Sequence, residues 1–360
     1  MTYLFLTGFY SFAMGQDTIP DTLNTPLESV DTVHAEFEQL NQEAEKLYNR
    51  GISKFQKGAF ESALNDFAEA LKVKPDFEKA FFNRGSVRYE LKDYSGAVED
   101  FSSALRLNSQ SAASHFLRGR AYYAMDKNED ALIDYNGAIS IDPNHAKAFY
   151  YRGGIKFELE DYKGAIGDFS SAIQRDPNNA VAYNDRGSAN KMLDKDEMAK
   201  RDYEKAIFID PKFVIGYNNL GSIKMKLGDN KGAVLEYSLA IKIDPEYYLA
   251  YNNRGRAKYD MGDYMGAVGD FSEAIKINAE YAYAYNNRAA AKCKLEDYKG
   301  VISDCTIAIQ LNPDYGYAYL NRGIAKEMRR EQDDACADWN KAAELGVGNA
   351  KTYIQQSCSN

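Results

Sequence analysis

The chain has 360 residues, 45% of them hydrophobic, with 53 Asp and Glu against 44 Lys and Arg for a formal net charge of −9. This composition supplies enough apolar material for a core and excludes wholesale disorder, while the acidic balance argues against a nucleic-acid binder, which needs basic charge to neutralise phosphates. Three His and four Cys are too few for a disulfide framework and leave little for a metal site.

Residues 1–16, MTYLFLTGFYSFAMGQ, are almost wholly apolar. They are too short to span a bilayer but fit the core of an export signal, with the small residues Ala13 and Gly15 at cleavage spacing. No Lys or Arg precedes Lys46, so the basic start of such a signal is missing. An exported, periplasmic or cell-envelope location follows if the segment is a signal, and a cytoplasmic one if it is not. Residues 17–31 contain Pro20 and Pro26 and no apolar period, which reads as an acidic linker. A helix is expected to open near Asp31 or Thr32, either of which suits an N-cap, with 32–43 leading into it. Eight carboxylates precede Lys46, so the rest of the chain carries a net charge of only −1.

From Ala44 to Asn349 the sequence repeats every 34 residues, giving nine units that start at 44, 78, 112, 146, 180, 214, 248, 282 and 316. Glycine stands at unit position 8 in every unit but one, where Ala289 replaces it. Position 27 is always Ala, and position 20 is Ala except for Val301. Position 24 is aromatic except for Cys305, and six of the eight prolines occupy position 32. Positions 2–14 predict one helix, A, and positions 18–31 a second, B, with a turn at 15–16 and Pro ending helix B. The small residues at 8 and 20 are expected to face each other across the hairpin, with the aromatic at 24 filling the gap to the next unit. One hairpin cannot bury its own apolar face, so the units must stack, and residues 350–360 provide a short closing helix and tail.

This pattern resembles the tetratricopeptide repeat family throughout 44–349. The resemblance implies an all-α, right-handed superhelical solenoid of nine helix-turn-helix repeats with a short C-terminal capping helix. Two departures stand out: position 4 carries Tyr, Phe, Leu or His where the family has Trp, and position 7 carries Arg where it has Leu, except in Leu220. Position 23 is Asp in every unit but the one containing Leu220, where it is Glu236. Positions 7 and 23 lie level in an antiparallel hairpin, so an Arg–Asp pair is expected inside each unit.

The resemblance also implies that A helices line a concave face and that positions 2, 5, 6, 9, 12 and 13 meet ligands. Aromatic residues fill positions 5 and 12 of the early units: Tyr48, Phe82, Phe116 and Tyr150, then Phe55, Tyr89, Tyr123 and Phe157. Asparagine occupies position 5 of the later units (Asn184, Asn218, Asn252, Asn286) and position 6 of many (Asn49, Asn83, Asn219, Asn253, Asn287, Asn321). An amide side chain both donates and accepts, so a row of them suits the backbone of an extended peptide. The repeat domain of the O-linked N-acetylglucosamine transferases is similar in carrying asparagines along its inner surface. The Lys and Arg pattern of the chaperone-tail clamp found in some family members is missing.

The expected function is a non-catalytic scaffold that binds a protein or peptide segment in the groove. The alternative is a targeting subunit that recruits substrates to a separate enzyme. His34, His115 and His145 form no catalytic or metal spacing, and no cofactor, nucleic acid or membrane span is expected. Cys293 and Cys305 stand too far apart along their hairpin to bridge, while pairings involving Cys336 and Cys358 stay open.

Overall fold

The computed structural model describes residues 30–358, with side chains from His34 onward. The proposed signal at 1–16 and nearly all of the linker lie outside the described residues. Among the described residues the regular structure is entirely helical. It falls into two units, one ending at Leu107 and one starting at Asn108.

The first unit holds α1 (Val30–Gln56), α2 (Phe60–Val73), α3 (Glu78–Glu90) and α4 (Tyr94–Leu107). Helix α1 opens at Val30, just ahead of the expected cap. The second unit holds α5 (Ala112–Tyr123), α6 (Asn128–Ile141), α7 (Ala146–Glu158), α8 (Tyr162–Arg175), α9 (Ala180–Met192), α10 (Asp196–Ile209), α11 (Val214–Lys226) and α12 (Asn230–Ile243). It continues through α13 (Tyr248–Asp260), α14 (Tyr264–Ile277), α15 (Ala282–Lys294), α16 (Tyr298–Leu311), α17 (Gly316–Met328), α18 (Gln332–Glu344) and α19 (Ala350–Ser357). Odd-numbered helices up to α17 are the A helices and even-numbered ones the B helices. Within each unit every A helix packs on its own B helix, and every B helix packs on the A helix of the following hairpin.

The turn between A and B explains its own sequence. Position 15 has positive φ in all nine hairpins, from 54° at Asp194 to 85° at Gly228. The next N–H then reaches back to helix A, as Asp161 N does to Lys156 O at 2.8 Å, closing the helix by a Schellman-type bond. Aspartate at position 16 caps helix B: Asp161 Oδ1 accepts from Gly164 N at 2.9 Å, and Asp93, Asp229, Asp263 and Asp297 do the same. A Cβ at Gly164 would collide with that carboxylate, so the cap selects glycine there. Helix B ends in an extended residue such as Asp142 (φ −121°, ψ 93°), the conformation that the following Pro143 favours.

The core adds to one expectation. A Cβ at Gly153 would come within 2.9 Å of the Phe169 ring, so the glycine at position 8 makes room first for the aromatic of its own hairpin, while one at Gly187 would also meet the Ala199 carbonyl of position 20 at 3.2 Å. The ring also reaches forward, for Phe169 clusters with Ala189 and Tyr135 with Ala148 and Ile155. The exceptional eighth hairpin obeys the same volume rule. Ala289 and Val301 add methyl groups where Cys305 removes a ring, and the three pack together.

Helix α19 closes the last hairpin. Tyr353 stacks on Trp339 with ring centres 5.1 Å apart, and Val347 and Ala350 complete that cluster. A Cys336–Cys358 disulfide ties the tail to α18, with Cα atoms 5.8 Å apart. Cys293 and Cys305 are free, and burial pushes the Cys305 thiol well above its usual range.

Candidate functional site

Charge inside the hairpins is spent on scaffolding. Arg84, Arg118, Arg152, Arg186, Arg254, Arg288 and Arg322 each reach the buried Asp sixteen residues on, with shortest N–O distances of 2.6–2.8 Å. In all seven a second nitrogen, Nε, also donates, giving the fork geometry that suits guanidinium and carboxylate. The spare Nη1 of Arg152, Arg186, Arg254, Arg288 and Arg322 donates to position 25 of the preceding hairpin: Asn136, Ser170, Ser238, Ser272 and Thr306. The same guanidinium lies over the position-4 ring, as Arg152 lies 5.4 Å from the Phe149 centroid. The two departures at positions 4 and 7 are therefore one interaction.

A second partner at position 11 was not visible in the sequence. Lys54, Arg88, Lys156, Lys258, Lys292 and Lys326 pair with the same aspartates. Asn190 donates to Asp202 instead. His115 donates through Nδ1 to Asp134 at 2.9 Å in the hairpin whose position 11 is Tyr122. In the hairpin with Leu220, Lys224 alone holds Glu236, at 2.6 Å. In the first unit, hydrogen bonding from the Arg50 guanidinium holds the Asp66 carboxyl below the usual carboxylate range, and Lys54 adds to this against the opposing effect of burial.

The asparagine rows pair with each other. Asn219 Nδ2 donates to Asn184 Oδ1, Asn253 to Asn218, Asn287 to Asn252 and Asn321 to Asn286, each at 2.9 Å. Every bond joins position 6 of one hairpin to position 5 of the hairpin before it. Asn184, Asn252 and Asn286 are buried, and their own Nδ2 groups donate to Asp185, Asn253 and Tyr315. The half-buried Asn219, Asn287 and Asn321 keep amide oxygens with no protein donor among the described residues. In the first unit Asn83 donates to the Tyr48 hydroxyl at 3.0 Å, while Asn49 is exposed on an open hollow beside Lys46 and Lys74. A run of tyrosines borders the later ladder: Tyr248, Tyr281, Tyr283 and Tyr315 stand in sequence with centroids 5.0–5.6 Å apart. Lying at positions 34, 1 and 2, they straddle the unit boundary and share no single position of the repeat.

The early aromatics divide. Phe116 is buried against Tyr135, Tyr151 and His145, the last ring 4.6 Å away, while His145 Nδ1 caps α7. Phe82 leans on Phe101 and Tyr89 on Tyr94 as packing partners in the first unit. Tyr123, Tyr150 and Phe157 come together in a cleft of about 320 Å³ with Gly154, Glu158, Phe169, Asp185 and Ser188. The Tyr123 hydroxyl donates to Glu158, and the Tyr150 hydroxyl donates to Asp185 at 2.8 Å. Bonding to Glu158, then burial, pushes the Tyr123 hydroxyl up to about 12, and burial beside Asp185 pushes Tyr150 higher still. A second cleft, of about 240 Å³, is lined by Arg256, Tyr259, Asp260, Phe271, Asn287 and Ala290. Both clefts draw on positions 6, 9, 12 and 13 of the A helices.

Among the described residues no group of three His, Cys, Asp or Glu is placed to hold a metal ion, and no helix is long and apolar enough to cross a membrane.

Family models described as "Tetratricopeptide repeat" match residues 48–112 and 116–180, and one described as "TPR repeat" matches 221–262. Among solved structures, a tetratricopeptide repeat protein from Parabacteroides merdae is similar at a TM-score of 0.51 and 21% identity, covering 70% of this chain and 99% of its own. The C-terminal part of a TPR repeat-containing protein from Cytophaga hutchinsonii is similar at 0.51 and 19%, covering 75% and 97%. These likenesses concern the fold alone. No curated protein matches the sequence.

Proposed function

Since the chain is a tetratricopeptide repeat protein, we propose that it is a non-catalytic scaffold holding an extended segment of a protein partner against its A helices. The observation that carries this reading is the row of Asn219, Asn287 and Asn321, whose position-6 amides are fixed by the ladder behind them while their oxygens remain open. Fixed, half-buried acceptors meet a peptide backbone without the entropy loss of ordering a loose side chain. Helices packed about 10 Å apart against a strand rise of about 3.3 Å put Asn287 and Asn321 roughly three peptide residues apart, and Asn219 roughly six from Asn287. Binding by backbone tolerates varied partner sequences.

The Cys336–Cys358 disulfide supports an exported or cell-envelope location, because such bonds persist in oxidising compartments.

The test is a pulldown from the source organism with the wild type, an Asn219→Ala/Asn287→Ala/Asn321→Ala triple variant, and a control variant at exposed B-helix positions, Ile133→Ala/Leu235→Ala. The wild type and the control are expected to recover the same partner and the triple variant to lose it. Equal recovery by all three would refute the groove.

A further inference from the structure

We propose that the cleft between Tyr123 and Asp185 is a socket for one lysine or arginine side chain of the bound segment. The proposal rests on the groove reading above and adds the chemistry of its partner.

Tyr123, Tyr150 and Phe157 wall the cleft, Phe169 lies among them, and Glu158 and Asp185 supply two carboxylates. The carboxylate at position 23 of every hairpin is matched by Arg or Lys. Asp185 instead takes two neutral donors, the Tyr150 hydroxyl at 2.8 Å and Asn184 Nδ2 at 3.1 Å. Glu158 likewise takes the Tyr123 hydroxyl. Neighbouring cations are engaged elsewhere, Lys156 with Asp168 and Arg120 over the Tyr151 ring. Burial raises the proton affinity of Asp185 and no cation opposes it, so its negative charge is held at a cost that an incoming cation would remove.

Position 6 is Asn in six units, and Asp185 is the single Asp. It keeps the shape of its homologues and changes only the charge. Gly154 opens the space, since a Cβ built there meets nothing within 4 Å. Two carboxylates exclude an anion. The volume of about 320 Å³ sits at the bottom of the small-ligand range of roughly 300–1,000 Å³, which suits one long side chain better than a cofactor. Three aromatic faces with carboxylates behind them are the surroundings that favour a desolvated ammonium or guanidinium.

The full chain is to be titrated against fluorescein-labelled degenerate heptapeptide pools, blocked at both ends, with Arg, Lys, Gln or Glu fixed at the centre. Anisotropy is expected to show the Arg or Lys pool binding at least about tenfold more tightly than the Gln pool. Asp185→Asn, which installs the residue of six other units, should keep the Gln-pool affinity and erase the preference. Gly154→Met, which fills the cleft, should erase it too, and the melting curves of both variants report that they fold. Equal binding of all pools by the wild type, or an unchanged preference in Asp185→Asn, would overturn the socket and leave the groove standing. Failure of the wild type to bind any pool would overturn both.

Discussion

Gly153 and Gly154 are adjacent on α7 and have opposite surroundings. A methyl group at 153 would press on the Phe169 ring at 2.9 Å and on Asp168 Cβ at 3.2 Å, whereas one at 154 would meet nothing. Gly153→Ala should therefore lower stability by about 1–3 kcal/mol through overpacking. Gly154→Ala should raise it by about 0.5–1 kcal/mol by removing backbone freedom from the unfolded chain. Urea midpoints shifting in opposite directions would bear this out. Asp185 gives a second contrast. Burial raises its native proton affinity above that of the unfolded chain, so the folded state binds the proton more tightly. Its contribution is present below the ordinary carboxylate pKa of about 4 and is lost as pH rises through the raised native value. Asp185→Asn should then increase the melting temperature at pH 7, with the gain shrinking as the pH is lowered toward about 4. An equal gain at both pH values would remove the charge as its cause.

At the scale of the hairpin, the interior pair acts as a three-way joint. Arg152 holds Asp168 of its own helix B, Asn136 of the helix B before it and the face of Phe149. Arg152→Leu should cost about 2–4 kcal/mol, the low end of breaking a buried pair, because Lys156 stays on the carboxylate. The hairpin of Leu220, Lys224 and Glu236 indicates the remedy: adding Asp168→Glu lets Lys156 carry the longer carboxylate, and the double variant should regain more than half of the loss in a thermal melt. Arg–Asp pairing was legible in the sequence because Leu220 and Glu236 depart together. Partners at position 11 were not, since a lysine one turn along the same helix looks like any surface lysine. The terminal hairpin has its own device. The disulfide closes a loop of 22 residues, for which loop entropy predicts about 3 kcal/mol. Cys358→Ser should strip hydrogen-exchange protection from α18 and α19 and leave α7–α10 protected.

Across the molecule, the 34-residue period and the helix pairs could be read from Gly, Ala, aromatic and Pro spacing alone, because each serves contacts inside one hairpin or with the next. The asparagine ladder could not. Its bonds run 35 residues, one more than the period, and exist only when neighbouring hairpins are already stacked. That offset makes the interfaces interchangeable. Deleting residues 248–281 would bring Asn287 to Asn218 and Arg288 to Ser238, the partners those side chains would otherwise find in Asn252 and Ser272. The shortened chain should keep its helicity per residue by circular dichroism and a cooperative melt. Deleting 248–280 shifts every such partner by one position and should melt earlier and in separate steps. A ladder of this kind also lets a lineage treat reach and chemistry as separate variables. In-frame gain or loss of one hairpin changes how long a segment the array can hold, with every rung re-forming on an identical neighbour. The surroundings of Asp185 have no duplicate and can be inherited only as a set.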